Sequence, residues 1–291
     1  MKLGYNTNGL AHHRLTDAID LLGEEGYQSV AITLDAGALD PYEEPSYLCH
    51  QLAAVRARLD HWGLARVVET GARYLLNPRV KHDPTLLDPD PARRAVRIDF
   101  LVRAIRIARE LEAECVSLWS GRLPDPIGEE AALDRLAAAL KPVLAAAEEA
   151  RMPLAFEPEP DMFIDTFARF DALDHRIAHP LLQLTVDLGH VHCLETGPIA
   201  SHLHHWNTRI VNIHIEDMVQ GVHEHLMFGE GTMDFPAIAQ GLHAIEYTAG
   251  VHVELSRHSA TGAAAVRQAM EFLKPLFGPR PKTAKLPSTS P

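Results

Sequence analysis

The chain lacks the cysteine pattern of a disulfide or zinc framework. Its 291 residues include three cysteines, widely spaced at Cys49, Cys115 and Cys193, and no CxxC pair. An odd, scattered set of this kind excludes a disulfide scaffold or a zinc knuckle as the basis of the fold. Cys115 opens an apolar run, and we expect it in the core.

Long apolar runs are also missing. No uninterrupted segment approaches the roughly 20 apolar residues that a membrane span needs. The N-terminus, MKLGYNTNGL, has no apolar signal-peptide region and leads directly into a strand pattern. We therefore predict a soluble, cytoplasmic protein with no membrane partner.

The third shortage is positive charge. The chain carries 27 basic and 39 acidic side chains, for a formal net charge of −12. An acidic surface repels phosphate backbones, so we expect no nucleic-acid partner. Hydrophobic residues make up 46% of the chain, which is enough for one large core.

Short apolar runs alternate with longer segments of helical period, which predicts βα units and a parallel sheet. The predicted strands are 2–6, 29–34, 64–69, 115–120, 153–160, 181–187, 209–217 and 250–256. The predicted helices are about 16–25, 46–62, 92–112, 129–149, 164–177, 194–205, 235–245 and 260–276, with Thr16 capping the first. Together they predict a single-domain (β/α)8 TIM barrel over 1–278. Residues 279–291 are rich in Pro, Ser, Thr and Lys, and we predict a disordered tail.

Four of these strands end on a side chain of the metal-ligand type. Glu157, Asp187, His214 and Glu254 follow or end strands five to eight. The C-terminal ends of parallel barrel strands meet on one face, so the four would converge in one half of the mouth. Three carboxylates and an imidazole suit Mn²⁺, Mg²⁺, Co²⁺ or Zn²⁺. Each carboxylate taken singly could instead be a helix cap or a loop hydrogen bonder.

The same stretches resemble the xylose isomerase-like TIM-barrel superfamily, notably its sugar (phosphate) isomerase/epimerase branch, over roughly residues 1–275. The most specific segments are FEPEP at 156–160, VDLGH at 186–190, NIHIED at 212–217, HEHLMFGEGTMDF at 223–235 and VHVEL at 251–255. The resemblance implies that Glu157, Asp187, His214 and Glu254 bind the metal. It also places His190 beside the substrate or as an extra ligand.

In the ketose epimerases of that family, the two metal-bound glutamates also form the acid/base pair. The resemblance gives these roles to Glu157 and Glu254, one removing a proton next to a carbonyl and the other returning one to the opposite face. A bound metal would polarise the oxygens and stabilise the enediolate.

The segment after strand seven contains an H-x-H pair, His223 and His225, ahead of a GEG turn. The pair is either an exposed loop, a substrate contact or a second metal site. Family members often carry a His just before this turn, and His225 matches that position better. Asp234 is predicted to cap the next helix.

Further candidates for substrate binding lie around the predicted mouth. Arg73, Arg122 and Arg257 could hold a phosphate or carboxylate, or could be surface salt bridges. Asn6, Trp119 and Glu159 could contact substrate, and Glu159 could instead orient a ligand. The long segment 70–91 is predicted to shape the site.

These patterns predict a metal-dependent isomerase or epimerase of a sugar, keto-sugar or cyclitol. A dehydratase or lyase acting on a keto-sugar or inosose would use the same residues, and the sequence does not separate the two. Less favoured are a zinc-dependent AP endonuclease-like nuclease, which needs histidines after strands two to four, and a non-catalytic metabolite-binding barrel. The expected partner is a small sugar-like molecule, and a homodimer or homotetramer stays open beside a monomer.

Overall fold

Eight parallel strands close into a barrel in the computed structural model, which describes residues 1–277. The barrel strands are β1 (Lys2–Asn6), β2 (Ser29–Thr33), β3 (Ala65–Glu69), β4 (Val116–Leu118), β5 (Leu154–Phe156), β6 (Leu182–Asp187), β7 (Ile210–Ile215) and β10 (Gly250–Val253). Their order around the barrel is β1-β10-β7-β6-β5-β4-β3-β2. The predicted single-domain (β/α)8 TIM barrel is therefore confirmed. The tail predicted for 279–291 lies outside the described residues.

Within residues 1–277, a two-stranded sheet separate from the barrel follows β7. Strands β8 (Asp217–Val219) and β9 (Val222–Leu226) pair antiparallel as a hairpin directly after β7. The H-x-H pair thus lies on a strand rather than in an irregular loop. This hairpin carries His223 and His225 back over the mouth of the barrel.

The helices surround the barrel, and residues 1–277 contain nine α-helices where the sequence predicted eight. They are α1 (Leu15–Glu24), α2 (Pro45–Trp62), α3 (Pro91–Glu110), α4 (Glu129–Ala150), α5 (Phe167–Ile177), α6 (Leu188–Leu194), α7 (Ile199–Trp206), α8 (Phe235–Ala244) and α9 (Gly262–Phe277). Short 3₁₀ helices follow β1 at Thr7–Leu10 and β10 at Ser256–Thr261. None of the helices within 1–277 is long and apolar enough to cross a membrane.

The differences from prediction have local causes. The helix predicted at 194–205 begins only at Ile199, because Gly197 has a φ of +91° and Pro198 follows it. The short helix α6 at Leu188–Leu194 was not predicted. Thr16 does not cap the first helix, which begins one residue earlier after Arg14 and has no side-chain cap. The cap predicted at Asp234 is confirmed, since its carboxylate accepts from the Ala237 N–H at 3.0 Å.

Hydrogen bonds between non-adjacent strands show which side chains fill the inside of the barrel. Ser117 on β4 bonds Thr185 on β6 at 2.9 Å, and Ser29 on β2 bonds His252 on β10 at 2.8 Å. The apolar core lies mainly between barrel and helices, whereas a small cluster that includes buried Cys115 stands apart from it. The inside of the barrel therefore contains polar side chains that bond to one another across strands.

Candidate metal centre

The four predicted ligands come together at the C-terminal ends of four adjacent strands. Asp187 ends β6, His214 lies on β7, and Glu157 and Glu254 directly follow β5 and β10. One ligand atom from each of the four lies within 4.8 Å of those of the other three. The barrel order β10-β7-β6-β5 makes this clustering a direct consequence of the strand topology.

His214 is at the centre of the group. Its Nδ1 lies 3.1 Å from Oε1 of Glu157 and 3.0 Å from Oε2 of Glu254. The same nitrogen is 3.9 Å from Oδ2 of Asp187. Nδ1 therefore faces all three carboxylates at once.

Asp187 has one engaged oxygen and one free oxygen. Its Oδ1 caps α6 by accepting from the His190 N–H at 2.9 Å. Its Oδ2 is buried and has no hydrogen-bond partner among the described residues. Such an atom normally has a hydrogen-bond partner or a metal ion.

The electrostatics of the group are those of crowded, buried charges. Burial raises the pKa of Glu157 to about 8, against the opposing effect of His214. Burial also opposes ionisation of Glu254, but His214 and neighbouring imidazoles outweigh it and lower that carboxyl's pKa. Burial lowers the pKa of His214, but Glu69, Glu157 and Glu254 outweigh it and raise that pKa well above its usual range.

These observations make the quartet fit a divalent cation. Asp187 has a free carboxylate oxygen. The carboxylates of Glu157, Asp187 and Glu254 and the imidazole of His214 have ligand atoms that all lie within 4.8 Å of one another. Three carboxylates crowded in a buried site repel one another unless a positive charge lies between them. The donor set is mostly oxygen, which suits hard and borderline ions.

A second group of potential ligands adjoins the quartet. His190, His223 and His225 form one set of three, and Asp187, Glu216 and His225 form another. Glu216 is fully buried, and neither of its oxygens has a hydrogen-bond partner among the described residues. The glycine of VDLGH gives this carboxyl its space, since a Cβ on Gly189 would lie 2.0 Å from its Oε1.

A cavity of about 300 Å³ opens above the quartet. It is lined by most of the predicted substrate-binding residues: Asn6, Arg73, Trp119, Glu159, His190, His223, His225 and Arg257. A neighbouring cavity of about 480 Å³ shares Trp119, Glu159 and His223. The two cavities together extend from the quartet to the outer surface of the loops.

The predicted arginines differ in their positions. Arg73 is half-buried in the cavity wall and donates to the Asn8 carbonyl at 3.1 Å. Arg257 lies at the rim in an ion pair with Glu224 on the hairpin. Arg122 lines only the neighbouring cavity, and its side chain is 70% exposed beside Asp161. Arg73 is therefore the arginine that best fits a contact with a bound anion.

The long segment 70–91 shapes this cavity, as predicted, and a buried arginine holds it. Arg97 on α3 donates to the carbonyls of Pro84 at 2.8 Å and His82 at 2.9 Å. Its guanidinium also lies 5.1 Å from the ring centroid of Trp119. As a result, His82 and Lys81 reach the cavity wall.

Several residues of the site were missed at the level of sequence. Asn8 donates to Oε1 of Glu254 at 2.7 Å, and Glu69 accepts from His214 at 2.9 Å. Glu216 was also missed, and it belongs to the second group of potential ligands with Asp187 and His225. The only available signal for Glu69 was its place at the end of strand three, which it shares with many structural carboxylates.

Comparison with known proteins agrees with this fold. A family model described as the xylose isomerase-like TIM barrel matches residues 19–276. L-ribulose-5-phosphate 3-epimerase UlaE of Salmonella paratyphi A is 24% identical over 213 residues, 72% of this chain and 75% of that protein.

Solved structures are similar in fold across nearly the whole chain. A D-allulose 3-epimerase from Methylomonas sp. has a TM-score of 0.74 at 18% identity, covering 94% of this chain and 97% of that one. The IolI protein, solved with a zinc atom, has a TM-score of 0.75 at 17% identity, covering 95% and 98%. With the family model matching most of its length, the chain belongs to the xylose isomerase-like TIM-barrel family.

Proposed function

We propose that this protein is a divalent-metal-dependent epimerase or isomerase of a sugar, keto-sugar or cyclitol. The observation that carries the proposal is the placement of Glu157 and Glu254. They follow strands on either side of the β6–β7 pair, and each lies about one hydrogen-bond length from Nδ1 of His214. The relatives named as sugar epimerases support the same class of reaction.

The chain's own residues would perform the proton transfers. A bound cation would polarise the substrate's carbonyl and adjacent hydroxyl, which lowers the barrier to removing the proton from the carbon beside the carbonyl. One glutamate takes that proton, and the other donates a proton to the opposite face of the same carbon. Asn8 holds Oε1 of Glu254 and so fixes the direction of its Oε2.

The residues that would hold the cation are Glu157, Asp187, His214 and Glu254, and the ion is Mn²⁺, Mg²⁺, Co²⁺ or Zn²⁺. The cavity wall, with Asn6, Glu159 and His190 among its members, would hold the substrate hydroxyls and exclude water. Arg73 would bind a phosphate or carboxylate if the substrate carries one.

The test is a screen of ketoses in deuterated water with metal-loaded protein. L-ribulose, L-ribulose 5-phosphate and D-allulose are suitable first substrates because the relatives act on sugars of these names. The proposal expects an epimeric product with deuterium at the inverted carbon, or an isomeric product with deuterium at the carbon that received the proton. A product lighter by one water would favour the dehydratase alternative, and no exchange with any keto-sugar or inosose would contradict the proposal.

A further inference from the structure

The buried carboxylate of Glu69 lies on the opposite side of His214 from the proposed metal ligands. Glu69 ends β3, across the barrel from β7, and is only 5% exposed. We propose that Glu69 is a positioning residue that holds the His214 ring so that Nδ1 is presented to the cation. This inference rests on the proposed function, because it requires a metal centre at the quartet.

The two nitrogens of His214 have different partners. Nδ1 faces Glu157 and Glu254, at 3.1 and 3.0 Å, whereas Nε2 lies 2.9 Å from Oε1 of Glu69. A carboxylate can only accept, so Nε2 must carry the hydrogen in that bond. Nδ1 also faces carboxylates, so it too carries a hydrogen when no cation is bound. A cation at the quartet would displace that hydrogen and bind Nδ1, while the hydrogen on Nε2 stays with Glu69.

Glu69 is itself held in place by a chain of buried hydrogen bonds. Asn212 donates from Nδ2 to Oε1 of Glu69 at 3.1 Å. Oδ1 of the same amide accepts from Nδ1 of His252 at 2.8 Å, and His252 Nε2 bonds the Ser29 hydroxyl at 2.8 Å. Because Oδ1 of Asn212 accepts from His252, its NH₂ group is the one that faces Glu69, and that group also lies 3.2 Å from the Thr185 hydroxyl and from Nε2 of His214.

This arrangement gives Glu69 two effects on a metal centre. Donation of Nε2–H to a carboxylate fixes the tautomer and the orientation of a ligating imidazole. It also makes the opposite nitrogen a stronger ligand. Loss of such a partner typically lowers metal affinity 10- to 100-fold. Glu69 also lines the cavity, so direct contact with substrate is the rival role.

The test compares Glu69→Gln and Glu69→Leu with wild type in Zn²⁺ affinity, measured by competition with a chelator in the absence of substrate. We expect Glu69→Leu, which removes the acceptor, to weaken binding 10- to 100-fold. Glu69→Gln keeps an acceptor oxygen and should weaken binding less. The matched control is Tyr27→Phe, which removes a buried 2.8 Å hydrogen bond to Val266 far from the quartet, and should leave Zn²⁺ affinity unchanged.

Nitrogen-15 spectra of the Zn²⁺-loaded proteins give a second readout. In wild type and Glu69→Gln, His214 should show metal-bound Nδ1 and a slowly exchanging Nε2–H. In Glu69→Leu that hydrogen should exchange rapidly. A mere loss of stability would not change this signal selectively.

The outcomes separate the inference from the proposed function. Wild-type Zn²⁺ affinity and an unchanged Nε2–H in Glu69→Leu would overturn the role of Glu69, as would equal losses of affinity in Tyr27→Phe. A wild type that binds no Zn²⁺ would also overturn it. If wild type binds Zn²⁺ and Glu69→Leu behaves as expected, but no sugar is epimerised, only the proposed reaction fails.

Discussion

The two halves of the barrel mouth differ in the kind of polar group that they present. Strands β5, β6, β7 and β10 end on three carboxylates and one imidazole whose ligand atoms lie within 4.8 Å of one another. The other half, formed by β1 to β4, presents mainly neutral groups such as Asn6, Thr33 and Ser117. The charged exceptions are Glu69, whose oxygen is directed across the barrel to His214, and Arg73 and Lys81 of segment 70–91.

The difference indicates that the two halves of the mouth have different roles. Convergent negative charge in a buried site is unfavourable unless a cation is bound, so one half of the mouth is suited to metal binding and proton transfer. Neutral hydrogen-bonding groups can bind sugar hydroxyls without a large electrostatic cost. Substitutions in the two halves should therefore change different quantities.

The largest effect is expected in the charged half. Glu157→Gln and Glu254→Gln each keep the side-chain shape but remove a proton acceptor. We expect each to lower turnover of an active ketose about 10²- to 10⁴-fold, the range for loss of a general acid or base. The measurement is kcat on metal-saturated protein. Glu148→Gln, a surface variant that alters only a contact with His179, is the control and should retain wild-type turnover.

A smaller effect on a different quantity is expected in the neutral half. Arg73→Met removes a cation from the cavity wall and should raise KM for a phosphorylated ketose about 10-fold, because a charge-assisted hydrogen bond is lost. Metal affinity and kcat should change little. The exposed Arg122→Met is the matched control. Equal effects of the two substitutions on KM would remove the specific role of Arg73.

The smallest effect concerns acid stability. Burial, with positive neighbours, lowers the pKa of His82 to about 3, and neither ring nitrogen has a hydrogen-bond partner among the described residues. The unfolded state binds a proton on this residue below about pH 6.5, whereas the folded state does not. Above that pH, His82 therefore does not change the free energy of unfolding with pH. As the pH falls from 6.5 towards 3, proton uptake by the unfolded state lowers the free energy of unfolding.

Replacing His82 should reduce that pH dependence. When the pH is lowered from 6.5 to 5.5, His82 should lower the free energy of unfolding of wild type by about 1 kcal/mol. The His82→Asn variant should lack this decrease. Chemical denaturation of metal-free wild type and variant at the two pH values measures it. Identical pH slopes would contradict a neutral, buried His82.

The sequence predicted the parts of the molecule that depend on local pattern. Apolar runs and helical periods placed the eight barrel strands, and the strand-ending residues Glu157, Asp187, His214 and Glu254 were enough to bring the quartet together. This prediction works because a parallel barrel carries all of its C-terminal strand ends to one face.

What the sequence did not predict depends on contacts across the barrel. The role of Glu69 depends on where Nε2 of His214 points, and that of Asn8 on the position of Glu254, 246 residues away. The sequence predicts a loop where the hairpin follows β7, because the two hairpin strands are short and carry polar residues. Glu216 occupies space that a Cβ on Gly189 would take, and no local pattern encodes this fit.

The most direct test of the central claim is the metal content of purified protein by elemental analysis. Wild type would be compared with Asp187→Ala from the charged half and Asn6→Ala from the neutral half. The account predicts at least about one divalent ion per chain in wild type and Asn6→Ala, and its loss in Asp187→Ala. Wild type without metal after supplementation with Mn²⁺, Co²⁺ or Zn²⁺, or full metal content in Asp187→Ala, would contradict it.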